Sequence, residues 1–118
     1  MNNRATGSNR ERQAEEYLEK QGMRIVERNF RCKLGEIDLI GWHQNYLVFV
    51  EVKYRSSKVK GSAVEAVDGR KQKRICRVAD YYRKSHRIGV QTGIRYDVVA
   101  IQGENIEWIP NAFPHIFR

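Results

Sequence analysis

Two apolar stretches dominate the pattern, Gly35-Glu36-Ile37-Asp38-Leu39-Ile40 and, after a short turn, Leu47-Val48-Phe49-Val50-Glu51-Val52-Lys53-Tyr54-Arg55. Both read as strands. The strand period of two puts Leu47, Phe49, Glu51 and Lys53 on one face and Val48, Val50 and Val52 on the other. Both faces begin apolar, so this strand is expected inside a sheet covered on both sides. Asp38, Glu51 and Lys53 interrupt the apolar runs. Charges in such strands are costly unless they pair or hold a metal. Two readings follow: a buried ion pair of Lys53 with Glu51 or Asp38, or a metal-dependent site.

The remaining pattern alternates helix and strand. Residues 1–7 read as a loose start, and Ser8 or Asn9 caps a helix through about Gln21. Ala14, Tyr17 and Leu18 form its apolar stripe, Glu11 falls in its first turn, and Gly22 is its expected C-cap. Met23 to Arg31 is a strand, Lys33-Leu34-Gly35 a turn, and Gly41 to Tyr46 the next turn with Gln44-Asn45 at its tip. Such short connections predict an antiparallel meander of three strands.

Ser56 to Ser62 is a polar loop. A helix follows over about Ala63–Ser85, with Val64, Val67, Ile75, Val78, Ala79 and Tyr82 at helical steps. Asp68-Gly69 kinks it or splits it in two, and Lys71 and Gln72 fall on or beside the inward stripe, where a polar residue needs a reason. Ile94–Ile101 is a central strand, and Ile106–Ile109 closes a hairpin after a turn at Gly103-Glu104-Asn105. The tail Asn111–Arg118 carries Phe113 and Phe117, which with Trp108 cover the sheet edge or form a sticky patch for a larger complex.

At 118 residues the chain should form a single domain, 1–118. Its net charge of +8 and pI near 9.8 point to a polyanionic partner, nucleic acid before an anionic membrane surface. Between Arg55 and Arg87 stand eleven basic and three acidic residues, which matches the whole net charge. Cys32 and Cys76 lie far apart and His43, His86 and His115 are scattered, which argues against zinc and for free thiols in a reducing compartment. No apolar run reaches transmembrane length and the N-terminus has no signal-peptide core, so a cytoplasmic protein without membrane association is expected.

Hydrolysis of a phosphodiester needs a divalent cation, an in-line water and stabilisation of the leaving oxygen. Mg²⁺ (or Mn²⁺) favours carboxylate oxygens. Asp38 and Glu51 would supply two ligands and the Val52 carbonyl a third, with Lys53 beside the attacked phosphate. Glu11 would add a carboxylate if its helix packs over the site, and otherwise only complements the helix dipole. Glu36 is read as turned away from Asp38, structural or a partner for Arg95. Arg55, Lys58, Lys60, Arg70, Lys71, Lys73, Arg74 and Arg77 are the candidate nucleic-acid contacts.

The set Asp38, Glu51-Val52-Lys53, helical Glu11 and Lys71-Gln72 resembles the PD-(D/E)xK nuclease site of Holliday-junction-resolvase type. More closely, five stretches resemble the bacterial YraN family of predicted endonucleases. They are Ala14-x-x-Tyr17-Leu18, Arg28-Asn29-Phe30-Arg31, Gly35 to Ile40, Val50-Glu51-Val52-Lys53-x-Arg55 and Arg95 to Val99. Ile37 stands where the broader superfamily has Pro, as is usual in this family. The resemblance implies a restriction-endonuclease-like α/β fold, a mixed central sheet flanked by helices. It implies metal ligation by Asp38 and Glu51, a catalytic Lys53, and Glu11 and Gln72 as supporting site residues. The implied activity is metal-dependent endonucleolytic cleavage of branched or structured DNA, leaving a 5′-phosphate and a 3′-hydroxyl. By analogy alone, two cuts at a junction suggest a homodimer. The competing reading is a non-catalytic nucleic-acid-binding module that retains the nuclease fold.

Overall fold

The computed structural model describes residues 3–55 and 67–117, with side chains from Asn9 onward in the first helix. The elements run α1 (Asn3–Lys20), β1 (Arg24–Cys32), β2 (Gly35–His43), β3 (Tyr46–Tyr54), α2 (Gly69–Ser85), β4 (Ile94–Gln102) and β5 (Asn105–Phe113). The five strands form one sheet in the order β1-β2-β3-β4-β5. β1–β2, β2–β3 and β4–β5 pair antiparallel, whereas β3 and β4 pair parallel. The meander is therefore present, and the sheet is mixed. The polar loop Ser56–Ser62, Lys58, Lys60, and the expected helix start with Val64 lie outside the described residues.

Helix α1 begins at Asn3, not at Ser8 or Asn9, so residues 3–7 are helical rather than a loose start. Glu11 consequently sits well inside the helix and not in its first turn. Gly22 ends α1 as expected: its φ is 99°, and the Met23 amide donates to the Leu18 carbonyl at 3.0 Å. This is the six-to-one bond of a Schellman cap, which favours Gly at the left-handed position. Asp68 is the N-cap of α2, accepting from the Lys71 amide at 2.9 Å, so α2 starts at Gly69; the expected helical stretch before Val67 lies outside the described residues. Gln44 and Asn45, at φ 50° and 70°, make the two-residue tip of the β2–β3 hairpin.

The two helices cover opposite faces of the sheet. On one side Ile75, Val78, Ala79 and Tyr82 of α2 pack with Ile37, Ile40, Leu47, Phe49 and Tyr96. On the other, Ala14 and Leu18 of α1 pack with Leu39, Val48, Val50, Val99 and Ile101. The alternation in β3 is as the sequence predicts, so the row that begins Leu47, Phe49 and continues to Glu51 and Lys53 faces α2.

The C-terminal segment is more strand than tail. β5 continues to Phe113, which is buried and stacks on Tyr96 at 5.1 Å. Trp108 donates to Asp97 at 2.9 Å, so these aromatics close the sheet, while Phe117 is exposed. No helix of the described residues is long and apolar enough to cross a membrane.

Besides the register shift between Ile25 and Glu27, strands β1 and β2 have an irregular rung further along. Arg28 pairs with Leu39 and Phe30 with Ile37, which sets Asn29 opposite Asp38. Residues two apart in a regular strand share a face. Here Leu39 belongs to the α1 core and Ile37 to the α2 core. Likewise Arg28 reaches Glu15 on α1, while Phe30 packs edge-on against Tyr82 of α2 at 5.1 Å. Both strands switch faces at this rung, and Asn29 makes the switch with a left-handed φ of 52°. Asn adopts that conformation more readily than most residues.

Candidate functional site

The site forms where the sheet forks. Leu39 and Val50 are the last paired residues of β2 and β3 on this side. Beyond them β2 continues against β1, and β3 against β4. Asp38 and Glu51 stand one residue past that last pair, side by side at the crotch. A strand residue offers its N–H and C=O to the same neighbour. Val52, two residues after Val50, therefore presents both groups towards β2. No β2 backbone reaches its N–H, and Asp38 Oδ2 accepts it instead at 2.7 Å. The Val52 carbonyl opens on the same side, beside the two carboxylates.

A cleft of about 580 Å³ opens over this point, lined by Asp38 and Glu51 from the sheet, Lys71, Arg74 and Ile75 from α2, and Arg31, Cys32, Gly35 and Glu36 of the β1–β2 hairpin. Glu51 is only 8% exposed. Lys71 Nζ lies 3.1 Å from Glu51 Oε1 and Lys53 Nζ lies 3.9 Å from the same oxygen. Gly35, at φ 146°, lets Arg74 lie against the hairpin, because a Cβ there would meet its Cδ and Cγ at 3.0 Å.

The electrostatics follow from crowding. Burial first, and then the neighbouring charge of Glu51, raise the Asp38 carboxyl from 3.8 to about 8, against the lowering effect of the Val52 hydrogen bond. Burial, followed by the contact with Lys71, pushes the Lys53 ammonium below the ordinary lysine value. For Lys71 burial acts in the same direction, but the hydrogen bond with Lys53 and the charges of Glu51 and Asp38 outweigh it, and its value is raised. Lys71 thus holds its proton more firmly than Lys53 does.

The remaining candidates are distributed around this centre. Glu11 lines a separate cavity of about 230 Å³ with Glu15, Arg28 and Asn29, on the α1 side. Its charge reaches Asp38 and contributes to the raised value there. Gln72 is turned away from the cleft and donates to the Val67 carbonyl at 2.9 Å, so Lys71 rather than Gln72 is what α2 brings to Glu51. Glu36 is not turned away from Asp38: it borders the same cleft and pairs with Arg31 at 2.8 Å. Arg95 pairs instead with Asp97 at 2.8 Å. Arg70, Lys73, Arg74 and Arg77 line a shallow depression next to Leu34, which Arg74 joins to the main cleft. Arg55 continues β3 past Lys53 and its amide donates to the Ile101 carbonyl at 2.8 Å. Among the described residues no three His, Cys, Asp or Glu side chains form a ready-made metal cluster. The oxygens available to a cation at the fork are those of Asp38, Glu51 and the Val52 carbonyl.

Three contributors do not stand out from sequence as parts of the site: Asn29, Arg31 and the ion-pairing role of Lys71. For Lys71 a signal is present, as a lysine on an inward helical stripe.

Fold and site together define a small, basic protein with helices on both faces of a mixed sheet and a carboxylate–lysine centre at the sheet's fork. The chain belongs to the family described as Uncharacterised protein family UPF0102, whose model matches residues 10–101. It is 46% identical over 113 residues to a UPF0102 protein of Lachnoclostridium phytofermentans, covering 96% of each chain. A UPF0102 protein of Shewanella oneidensis is 46% identical over 107 residues, covering 91% of this chain and 97% of that one. A third, from Methylococcus capsulatus, is 46% identical over 112 residues, covering 91% and 89%.

Proposed function

We propose that this protein is a metal-dependent endonuclease of the restriction-endonuclease-like, PD-(D/E)xK type, hydrolysing phosphodiester bonds in branched or structured DNA as Holliday-junction resolvases do. The observation that carries the reading is the fork itself. Asp38, Glu51 and Lys71 line one cleft there, next to the basic face of α2, and Lys53 Nζ stands 3.9 Å from Glu51. Two carboxylates and a carbonyl suit Mg²⁺ or Mn²⁺, hard cations that accept few protein oxygens and complete their shell with water and substrate phosphate. A cation held there would neutralise phosphate charge and lower the pKa of a water.

The chain's own groups supply the rest. Arg70, Lys73, Arg74 and Arg77 would hold phosphates along α2 and deliver the backbone to the cleft. Lys53 would neutralise charge developing at the attacked phosphate. The Val52 amide fixes Asp38 in one orientation. The test is a cleavage panel of four-way junction, flap, splayed duplex, plain duplex and single strand, each with Mg²⁺, Mn²⁺ or chelator. Metal-dependent cutting of a branched substrate is expected, and it should be lost in Lys53→Ala.

A second reading, a nucleic-acid-binding module without catalysis, is favoured by one observation: a lysine ammonium already neutralises Glu51. It predicts steeply salt-dependent binding with no cleavage of any substrate in the panel.

A further inference from the structure

The first turn of α2 carries Arg70 and Lys71 and no acidic residue, and Lys73 follows directly after it. This is the positive end of the helix dipole, where cations are disfavoured. Lys71 nevertheless turns inward, its Nζ 3.1 Å from a Glu51 oxygen, nearer than Lys53 at 3.9 Å. The two lysines differ in how they are held. Lys53 rises from β3 itself, on the same face as Glu51 and two residues away. Lys71 reaches across from another element, at the rim of the cleft, and its side chain is 33% exposed against 9% for Glu51. Its backbone is fixed by Asp68, so only the flexible four-carbon stem need move for the ammonium to leave.

A buried carboxylate needs a positive partner. Lys71 meets that need in the metal-free protein, and a divalent cation would meet it equally. Both at once would crowd two ammonium groups and a dication onto two carboxylates. The place where Lys71 would go is also defined: Arg70, Lys73 and Arg74 flank it on α2, and a polyanion lying on them brings phosphate oxygens within its reach.

We propose that Lys71 is a displaceable counter-ion of the Asp38–Glu51 pair, which a phosphate of the nucleic acid draws away, so that cation binding and nucleic-acid binding favour each other. This inference rests on the proposed metal-dependent site. Lys71 is a positioning residue in this scheme, and its effect is on the equilibrium of the site. Linkage makes the coupling reciprocal, typically about 5- to 150-fold in affinity.

The test is Mn²⁺ binding by calorimetry to the full chain, for wild type, Lys71→Met, Lys71→Gln and Lys71→Arg. Each is measured alone and saturated with a four-way DNA junction protected by phosphorothioate linkages, with Asp38→Asn as the control for binding elsewhere. Removing the charge should tighten Mn²⁺ binding in the free protein at least about fivefold, the lower end of such couplings, in both Met and Gln variants, while Lys71→Arg stays near wild type. The junction should tighten Mn²⁺ binding to wild type and add little to the Met and Gln variants. If those variants bind Mn²⁺ no more tightly than wild type, or the junction affects them as strongly, the inference is overturned while the metal site stands. If no protein binds Mn²⁺ in either arm beyond the Asp38→Asn control, the metal site itself is overturned and the inference with it.

Discussion

Asp38 Oδ2 accepts the Val52 backbone amide at 2.7 Å, taking the place that a β2 backbone group would hold if the two strands stayed paired. One side chain thereby satisfies the amide exposed by the fork and is aimed by it. Asp38→Asn keeps an acceptor for Val52 and removes the charge. It should melt at or above the wild-type temperature without divalent metal, and lose any stabilisation by Mn²⁺. Asp38→Ala leaves the amide unpaired and should cost about 1–3 kcal/mol. Thermal melts with chelator and with metal check both.

The raised Asp38 carboxyl makes a signed prediction for pH. Its folded value of about 8 exceeds the ordinary 3.8, so the folded protein holds this proton more tightly than the unfolded chain. The resulting destabilisation is absent below about 4, grows as pH rises, and is complete above about 8. Metal-free wild type should therefore lose stability relative to Asp38→Asn across that window. Urea denaturation of both proteins at several pH values reads the difference directly.

The irregular rung makes Asn29 the backbone counterpart of Asp38. Its φ of 52° suits Gly or Asn and opposes a β-branched residue. Asn29→Gly should retain fold and activity. Asn29→Val should destabilise by about 1–2 kcal/mol and lower cleavage further than the lost stability explains, because Asp38 is re-aimed. Melting curves and cleavage rates of the two variants, measured together, separate these effects.

A different buried acid should matter for stability alone. Asp97 is 1% exposed and accepts from Arg95 Nε at 2.9 Å, Trp108 Nε1 at 2.9 Å and the Asn111 amide at 2.9 Å. Asp97→Ala strands the buried Arg95 charge and should cost about 3–5 kcal/mol. Asp97 stands beside Val50 in the sheet, but its side chain does not line the cleft, so activity per folded molecule should be unchanged. Denaturant titration paired with active-fraction measurement tests this.

The basic track predicts a salt dependence. Replacing Arg74 and Arg77 by Ala should weaken DNA binding on every sequence. It should also flatten the plot of log affinity against log salt by about 0.9 for each phosphate that is no longer neutralised. Anisotropy titrations over a series of salt concentrations measure that slope.

The strands are legible in the sequence because their alternation is local: Leu47, Phe49 and Glu51 declare their shared face without knowledge of partners. The carboxylate pair is legible for the same reason, since Asp38 and Glu51 stand in apolar runs joined by a short turn. What escapes depends on neighbours distant in sequence. Asn29 reads as an ordinary strand residue until its partner is known to be Asp38. Gln72 and Lys71 are neighbours on one helix, and sequence cannot say which reaches Glu51, because the helix phase is set by packing of Ile75 and Val78 on the sheet. The early start of α1 escapes because Asn3 to Gly7 lacks an apolar stripe and contains a glycine. Phe113 reads as tail because Pro110 and Asn111 interrupt the strand pattern, yet β5 runs through them along the sheet edge, where a missing amide is tolerated.

The most direct measurement is single-turnover cleavage of a four-way DNA junction by wild type and Glu51→Gln side by side, with Mg²⁺ and with chelator, after both are shown to fold and bind the junction. A metal-dependent nuclease centred on the fork predicts Mg²⁺-dependent cutting by wild type, with 5′-phosphate and 3′-hydroxyl ends, and a loss of at least about a hundredfold in the variant. Cutting by Glu51→Gln at the wild-type rate, or wild-type cutting that survives chelation, would contradict it.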